Sequence, residues 1–381
     1  MLSTFSTANV PVERLNNAEP IITPTSNWWE DGVTFNPAAF FLKLTSANAH
    51  KELLDSKCFN DPGVKDGVVA VHYRARPSKD TKNRTINPSY SGLAIFSPEM
   101  KLIHRHKDPV IKPDDDEYHY DHLGIEDGRL HCFDGTYYYL YCGVSNLGKS
   151  DSGWSLKTQL CLAKSNNLVS WEKLGPLEGN VNTEEHNNKD GVFFPEKIDG
   201  HYFMLHRPYS GINYSQYAMA LAMSESMDGP WNDLGIIKYG RQDPKIAKHV
   251  WVGASAVPIA LGNKRYLVFY HRGHFLNSGQ KWYDQNAAIF NFNRFDPASP
   301  SRIIEKCLER ILVPETVYEK QTVAADGIAN VVFTCGCYEY KDFIYMIYGG
   351  ADSCTLAARV KKHTLVAALE NSKEINFNKA V

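Results

Sequence analysis

Five stretches of the chain share one pattern of apolar and polar positions. They are VVAVHYRAR (68–76), TYYYLYCGV (136–144), HYFMLHRPY (201–209), RYLVFYHRG (265–273) and FIYMIYGGA (343–351). Each is an aliphatic and aromatic run ending in a Tyr or His beside a charged or small residue, the composition of a buried β-strand. Aligned on Tyr73, Tyr141, His206, His271 and Tyr348, they recur at a spacing of roughly 65 residues, which suits one four-stranded sheet per repeat. Five repeats predict an all-β chain folded as a five-bladed β-propeller. A propeller gathers one strand from every blade around its axis, so the polar residues ending these runs are expected to converge on one pocket.

A second pattern follows each first one: SGLAIFSPEMKLI (91–103), QLCLAKSNNLVSWEKLG (159–175), AMALAMSESMDGPWNDLG (218–235), AAIFNFNRFDP (287–297) and TLAARVKK (355–362). It predicts an inner strand, a tight turn and an outer strand that packs by its indole. Turn signals Asp134-Gly135, Asp199-Gly200, Gly262-Asn263 and Lys341-Asp342 each precede a core strand. Residues 39–66 include helical spacing from Leu42 to Leu54 and are read as an insertion between two strands of the first blade. Residues 77–90 and 145–158 read as polar loops. Residues 273–286 read as a third long loop, in which Trp282 and Tyr283 can stack on a ligand. No segment has the composition of a flexible linker, so residues 1–381 are taken as one domain.

Composition narrows the function. A net charge of −2 gives no electrostatic case for nucleic acid or an anionic membrane surface. No apolar run approaches the roughly 20 residues of a membrane span, and the N-terminus lacks the pattern of a secretory signal. The eight cysteines are scattered and read as reduced, buried thiols of a cytoplasmic protein. Cys335 and Cys337 are expected on one strand face, with too few neighbours for zinc. His104 with His106 and His119 with His122 have chelating spacing. The adjacent Asp114–Glu117 run reads as a solvated loop, and no metal is assigned. Aromatic residues at 12% suit both strands and surfaces that stack on sugars.

Three segments carry candidate chemistry. Gly124-Ile125-Glu126-Asp127-Gly128-Arg129 puts two carboxylates and an Arg just before a core strand, at the channel mouth if the chain is a propeller. The same residues also suit a polar turn with a surface ion pair. Asn188 to Lys197 (NKDGVFFPEK), continuing to His206-Arg207-Pro208, has Asp190, Glu196 and Lys197 flanking an apolar core, which also suits an edge strand with solvated ends. Trp251 to Ile259 (WVGASAVPI), followed by Tyr270-His271-Arg272, has small residues at 253–256 that admit a ligand, the axis, or tight packing between blades.

GIEDGRL, KDGVFFPEK with LHRP, VGASAVPI with YHR, VPETVYE (313–319) and YGGAD (348–352) together resemble glycoside hydrolase family 130, the β-mannoside phosphorylases and β-mannosidases. The resemblance runs from Phe35-Asn36-Pro37-Ala38 to Asp352 and implies a five-bladed β-propeller. It implies that Asp127 is the catalytic acid, within a motif usually written E-D-P-R; here Gly128 replaces the Pro. It implies inverting phosphorolysis of manno-oligosaccharides to mannose 1-phosphate, with the proton relayed through a hydroxyl of the bound mannose. Inorganic phosphate is then the co-substrate, and no cofactor is needed. Arg74, Lys189, Arg207 and His271 match the phosphate-binding cations. Asn36, Glu126, Arg129, Asp190, Trp251 and Asp352 match positions around the sugar. Trp251 stands where phosphorylases of the family commonly carry a Lys, and Lys248 is three residues away. Hydrolases of the family use carboxylates to activate water, a role open to Glu184 or Glu185, and a third branch transfers mannose. A non-catalytic glycan-binding propeller is the reading from another class. A homo-oligomer is compatible with the sequence.

Overall fold

The computed structural model describes residues 8, 10–43, 64–82, 84–146, 156–209, 217–240 and 244–372. A short strand, β1 (Val12–Arg14), precedes five antiparallel sheets. The first contains β2 (Val33–Lys43), β3 (Gly67–Arg76), β4 (Tyr90–Phe96) and β5 (Leu102–Arg105). The second contains β6 (Gly124–Phe133), β7 (Thr136–Ser145), β8 (Lys157–Ser165) and β9 (Glu172–Pro176). The third contains β10 (Asn187–Phe193), β11 (Tyr202–Tyr209), β12 (Met219–Ser224) and β13 (Asn232–Lys238). In the fourth, β14 (Ala247–Ala254) and β15 (Ile259–Gly262) both pair with β16 (Arg265–Leu276), followed by β17 (Lys281–Asn291) and β18 (Ile304–Leu312). The fifth contains β19 (Val332–Tyr340), β20 (Phe343–Gly350) and β21 (Cys354–Lys361), with β1 as its outer strand. Strand β1 thus joins the sheet formed by the last three strands and closes a five-bladed propeller.

Each pair of neighbouring blades encloses one apolar cluster. Ala70 and Leu93 meet Leu130 and Tyr139 between the first and second blades. Leu140 and Leu160 meet Phe193 and Met204 between the second and third. Leu205 meets Val252 and Tyr266 between the third and fourth. Phe269 and Ile289 meet Met346 and Leu356 between the fourth and fifth, and Val71 and Tyr73 meet Tyr345 and Ile347 where the ring closes. A strand between two clusters is buried on both faces and reads as a continuous apolar run rather than an alternation. That is why β3, β7, β11, β16 and β20 stand out in the sequence. They are the second strand of each blade, not the axial one. Their aligned polar residues are internal anchors. Tyr73, Tyr141 and Tyr348 donate to Glu30 (2.7 Å), Asp121 (3.2 Å) and Glu319 (2.8 Å), and His206 accepts from Asn188 (2.9 Å).

The second repeated pattern holds the third and fourth strands rather than an inner strand. Its indoles pack as expected: Trp231 stacks on Phe193 at 5.0 Å, and Trp171 lies against Tyr139 at 5.7 Å. Residues 273–286 are not a loop but the ends of β16 and β17 around a tight turn. Leu42, where the helical spacing begins, lies in β2; residues 44–63, which carry the rest of it, are outside the described residues. Cys335 and Cys337 join different apolar clusters because a register shift between Thr334 and Gly336 breaks the alternation. All seven described cysteines are free thiols. Among the described residues, no helix is long and apolar enough to cross a membrane.

Candidate active site

The axial strands β2, β6 and β10 carry a register shift near their start, at Phe35/Ala38, Glu126/Arg129 and Lys189/Val192. At each shift one residue adopts a left-handed backbone: Asn36 (φ 43°), Asp127 (φ 49°) and Asp190 (φ 58°). A bulge of this kind turns a side chain out of the sheet's alternation, and Asn and Asp are the non-glycine residues that tolerate it best. The next residue is Pro37, Gly128 or Gly191. At Gly128 a Cβ would lie 1.9 Å from the Tyr139 ring. The bulges therefore aim Asn36, Asp127 and Asp190 into the axial opening.

A cavity of about 140 Å³ occupies that opening. Asn36, Glu126, Asp127 and Asp190 line it from the bulges. Arg74 and Arg207 enter from β3 and β11, with Lys189 and Asp352 beside them. The remaining wall is apolar and aromatic: Tyr283, Ile328, Val331 and Phe333. The sequence alone gave Tyr283 only as a stacking ring and did not single out the last three. Ile328 and Val331 precede the fifth axial strand, β19, and Phe333 is its second residue.

Arg74 organises the acidic side. It donates to Asp127 Oδ1 (3.0 Å), to Glu126 and to Ser89 Oγ (2.9 Å), while its guanidinium lies 4.6 Å from the Phe35 ring. Burial opposes its charge, but Glu126, Asp127 and Asp352 outweigh burial and keep it protonated. Asn36 donates to the same Asp127 oxygen at 2.8 Å. Burial pushes the Asp127 carboxyl up; Arg74, Arg129, the Asn36 amide and Lys189 overcome this and hold it below the usual carboxylate range. Asp352 behaves oppositely. Burial, reinforced by the Asp127 charge, raises it to about 6 despite Arg74. Its Oδ2 accepts the Ile328 backbone N–H at 3.2 Å.

The cationic side pairs Arg207 with Asp190, Nε to Oδ2 at 2.5 Å. Burial raises Asp190, but Arg207 and His271 pull it far below the carboxylate range. Lys189 rests 5.6 Å from the Tyr209 ring and, among the described residues, has no carboxylate within ion-pair distance. Tyr209 is the main influence keeping it protonated, against burial.

Other expected site residues lie elsewhere. His271 is fully buried behind Asp190, 3.4 Å from Oδ2, and burial lowers its pKa. A Cβ on Gly253 would meet Asp190 Oδ2 at 2.1 Å, so the small residues there make room for this packing. Arg129 is buried and donates to the carbonyls of Asp127 (2.6 Å), Ala254 (3.0 Å) and Ser255 (2.9 Å). It clamps the Asp127 bulge to the fourth blade and is not on the cavity wall. Trp251 backs Tyr283, with ring centroids 5.4 Å apart. Glu184 and Glu185 are exposed on the turn before β10, away from the cavity. Lys157 binds the carbonyls of that turn. Among the described residues, no three His, Cys, Asp or Glu side chains are grouped to hold a metal.

The family model described as beta-1,4-mannooligosaccharide phosphorylase matches residues 57–371. The chain belongs to glycoside hydrolase family 130. Within family 130 it is similar to a 1,2-beta-oligomannan phosphorylase of Thermoanaerobacter sp. (strain X514), 28% identical over 90% of this chain and 95% of the relative. It is 29% identical to a beta-1,2-mannobiose phosphorylase of Listeria innocua over 66% of this chain and 61% of that protein. The solved structure of a beta-1,2-mannobiose phosphorylase from Listeria innocua shares the fold, with a TM-score of 0.67 at 21% identity, over 95% of this chain and 99% of that one. The chain is thus a family 130 enzyme with a family 130 propeller.

Proposed function

We propose that the protein is an inverting β-mannoside phosphorylase, with Asp127 as its acid and Arg74, Lys189 and Arg207 holding phosphate. The observation that carries this reading is that Asp127 and three cations, Arg74, Lys189 and Arg207, share a cavity of about 140 Å³. The terminal mannose sits against Asn36, Asp127 and Asp352. A phosphate oxygen attacks its anomeric carbon from the cationic side as the bond to the leaving oxygen breaks on the other face. Asp127 supplies the proton that the leaving oxygen takes, relayed through a mannose hydroxyl. The products are α-mannose 1-phosphate and an oligosaccharide shorter by one unit. Phosphate as nucleophile removes the need for a carboxylate base, and the exposed positions of Glu184 and Glu185 support this over the hydrolytic reading. The names of the relatives similar in sequence, which are mannoside phosphorylases, support it too.

The test is incubation with β-1,2- and β-1,4-manno-oligosaccharides, with and without phosphate. Mannose 1-phosphate is expected only when both substrates are present. Free mannose released at one rate in either condition would refute phosphorolysis and favour a hydrolase.

A further inference from the structure

Lys189 and Arg207 are direct partners across the β10–β11 ladder, so two like charges face each other on neighbouring strands. Such a pair is destabilising unless something compensates it. Asp190 pairs with Arg207 (2.5 Å), whereas Lys189 has no carboxylate within ion-pair distance among the described residues.

Two tyrosines answer this arrangement. Tyr209 lies two residues beyond Arg207 on β11, on the same face and diagonal to Lys189. Its ring centroid is 5.6 Å from the Lys189 Nζ. The β11–β12 register, continued past the His206–Ala220 pair, sets Tyr217 opposite Tyr209. Tyr217 is therefore diagonal to Arg207, and its ring centroid is 5.6 Å from the guanidinium carbon. The two rings meet each other at 4.7 Å, with planes inclined by 50°. Diagonal neighbours on a sheet face are within reach of aromatic and long side chains. Both distances fall inside the roughly 6 Å at which a cation is drawn to a ring face. One geometric step is used twice: each cation rests on the tyrosine diagonal to it, and the tyrosines brace each other.

The pair is tied to the blades on either side. Tyr209 Oη shares a hydrogen bond with Thr158 Oγ1 on β8 (2.9 Å), and the Tyr217 carbonyl accepts the Val252 N–H of β14 (3.1 Å). Neither ring is on the cavity wall. A carboxylate in either place would neutralise its cation and repel an incoming phosphate. A ring face attracts the cation through its quadrupole and carries no net charge, so the cation keeps its full charge toward the anion.

We infer that Tyr209 and Tyr217 are positioning residues for the phosphate side of the site: their ring faces hold Lys189 and Arg207 in place and so set the affinity for phosphate. The inference rests on the phosphorylase reading above.

The experiment measures KM for phosphate and KM for the mannoside separately, each at saturating co-substrate. Tyr209→Leu and Tyr217→Leu are each expected to raise the phosphate KM at least about fivefold, while the mannoside KM moves less than about twofold. Tyr209→Phe, which loses only the hydroxyl, is expected to lie nearer the wild type than Tyr209→Leu. A Leu variant also loses packing, so the deciding series places phenylalanines with one, two or three ring fluorines at position 209. Fluorine weakens the quadrupole with little change of size, and the phosphate KM is expected to climb with each fluorine. A flat phosphate KM across that series would overturn the inference, as would a mannoside KM that rises in step with it. Both leave the phosphorylase reading standing. Wild-type turnover that does not depend on phosphate would sink that reading and this inference with it.

Discussion

Asp127 and Asp352 flank one guanidinium and are driven in opposite directions. Such divergence marks sites where two carboxyls do different work. Asp127 is an anion that holds Arg74 and Asn36 in place. A phosphate dianion beside Arg74 and Lys189 cancels their field, which favours proton uptake by Asp127. Asp352 is the costly partner. Folded, it keeps its proton up to about pH 6, whereas an unfolded Asp releases it near pH 4. Stability is therefore lost as pH rises between those values and stays lost above. Because the carboxyl faces the open cavity, the effect is discounted to about 1–2 kcal/mol. Asp352→Asn is expected to be more stable than the wild type by that amount at pH 7, to match it near pH 3, and to lose activity. Urea unfolding at the two pH values checks this, and an equal difference at both would count against it.

The site is delivered by three bulged strands, and this explains what the sequence could tell. Second strands were legible as repeats because they are apolar throughout. Axial strands were not, because Asn36-Pro37, Asp127-Gly128 and Asp190-Gly191 break their alternation and read as turns. The same dipeptides are the bulge signal, recurring at one place in three blades. Arg74 and Arg207 were assigned through the family resemblance, and in the fold each directly follows an anchor, Tyr73 or His206. His271 is itself such an anchor and lies buried behind Asp190, 3.4 Å from Oδ2. Sequence could not show that Arg129 faces carbonyls, since two of its three partners lie 125 and 126 residues away. Gly128, where the family usually has Pro, is explained by Tyr139, whose ring fills the space of any side chain. Gly128→Pro is thus expected to destabilise the protein by about 2–3 kcal/mol and to lower kcat. Combining it with Tyr139→Ala is expected to recover more stability than the sum of the single changes. Strict additivity in chemical denaturation would contradict this packing account.

At the scale of the molecule, the axis exists only while the ring is closed, and β1 closes it with three residues. Arg14 at its end binds Glu319 (2.8 and 3.1 Å), Glu315 (2.8 Å) and the Val313 carbonyl (2.8 Å). Glu319 is fully buried. Burial raises its pKa, but Arg14 and the backbone N–H groups of Glu315 and Thr316 outweigh that and lower it. Arg14→Ala leaves that charge less compensated and is expected to cost about 2–3 kcal/mol, read as a lower Tm with unchanged far-UV dichroism. A loss below about 0.5 kcal/mol would show that closure does not depend on this pair. A closed ring keeps Asp127 and the cations Arg74, Lys189 and Arg207 around one cavity, and phosphorus NMR of a mannoside and phosphate mixture tests that claim most directly. The wild type is expected to form α-mannose 1-phosphate, and Asp127→Asn to do so at least about 10³-fold more slowly while still binding phosphate. Wild-type turnover in the Asn variant, or a β-configured product, would contradict the account.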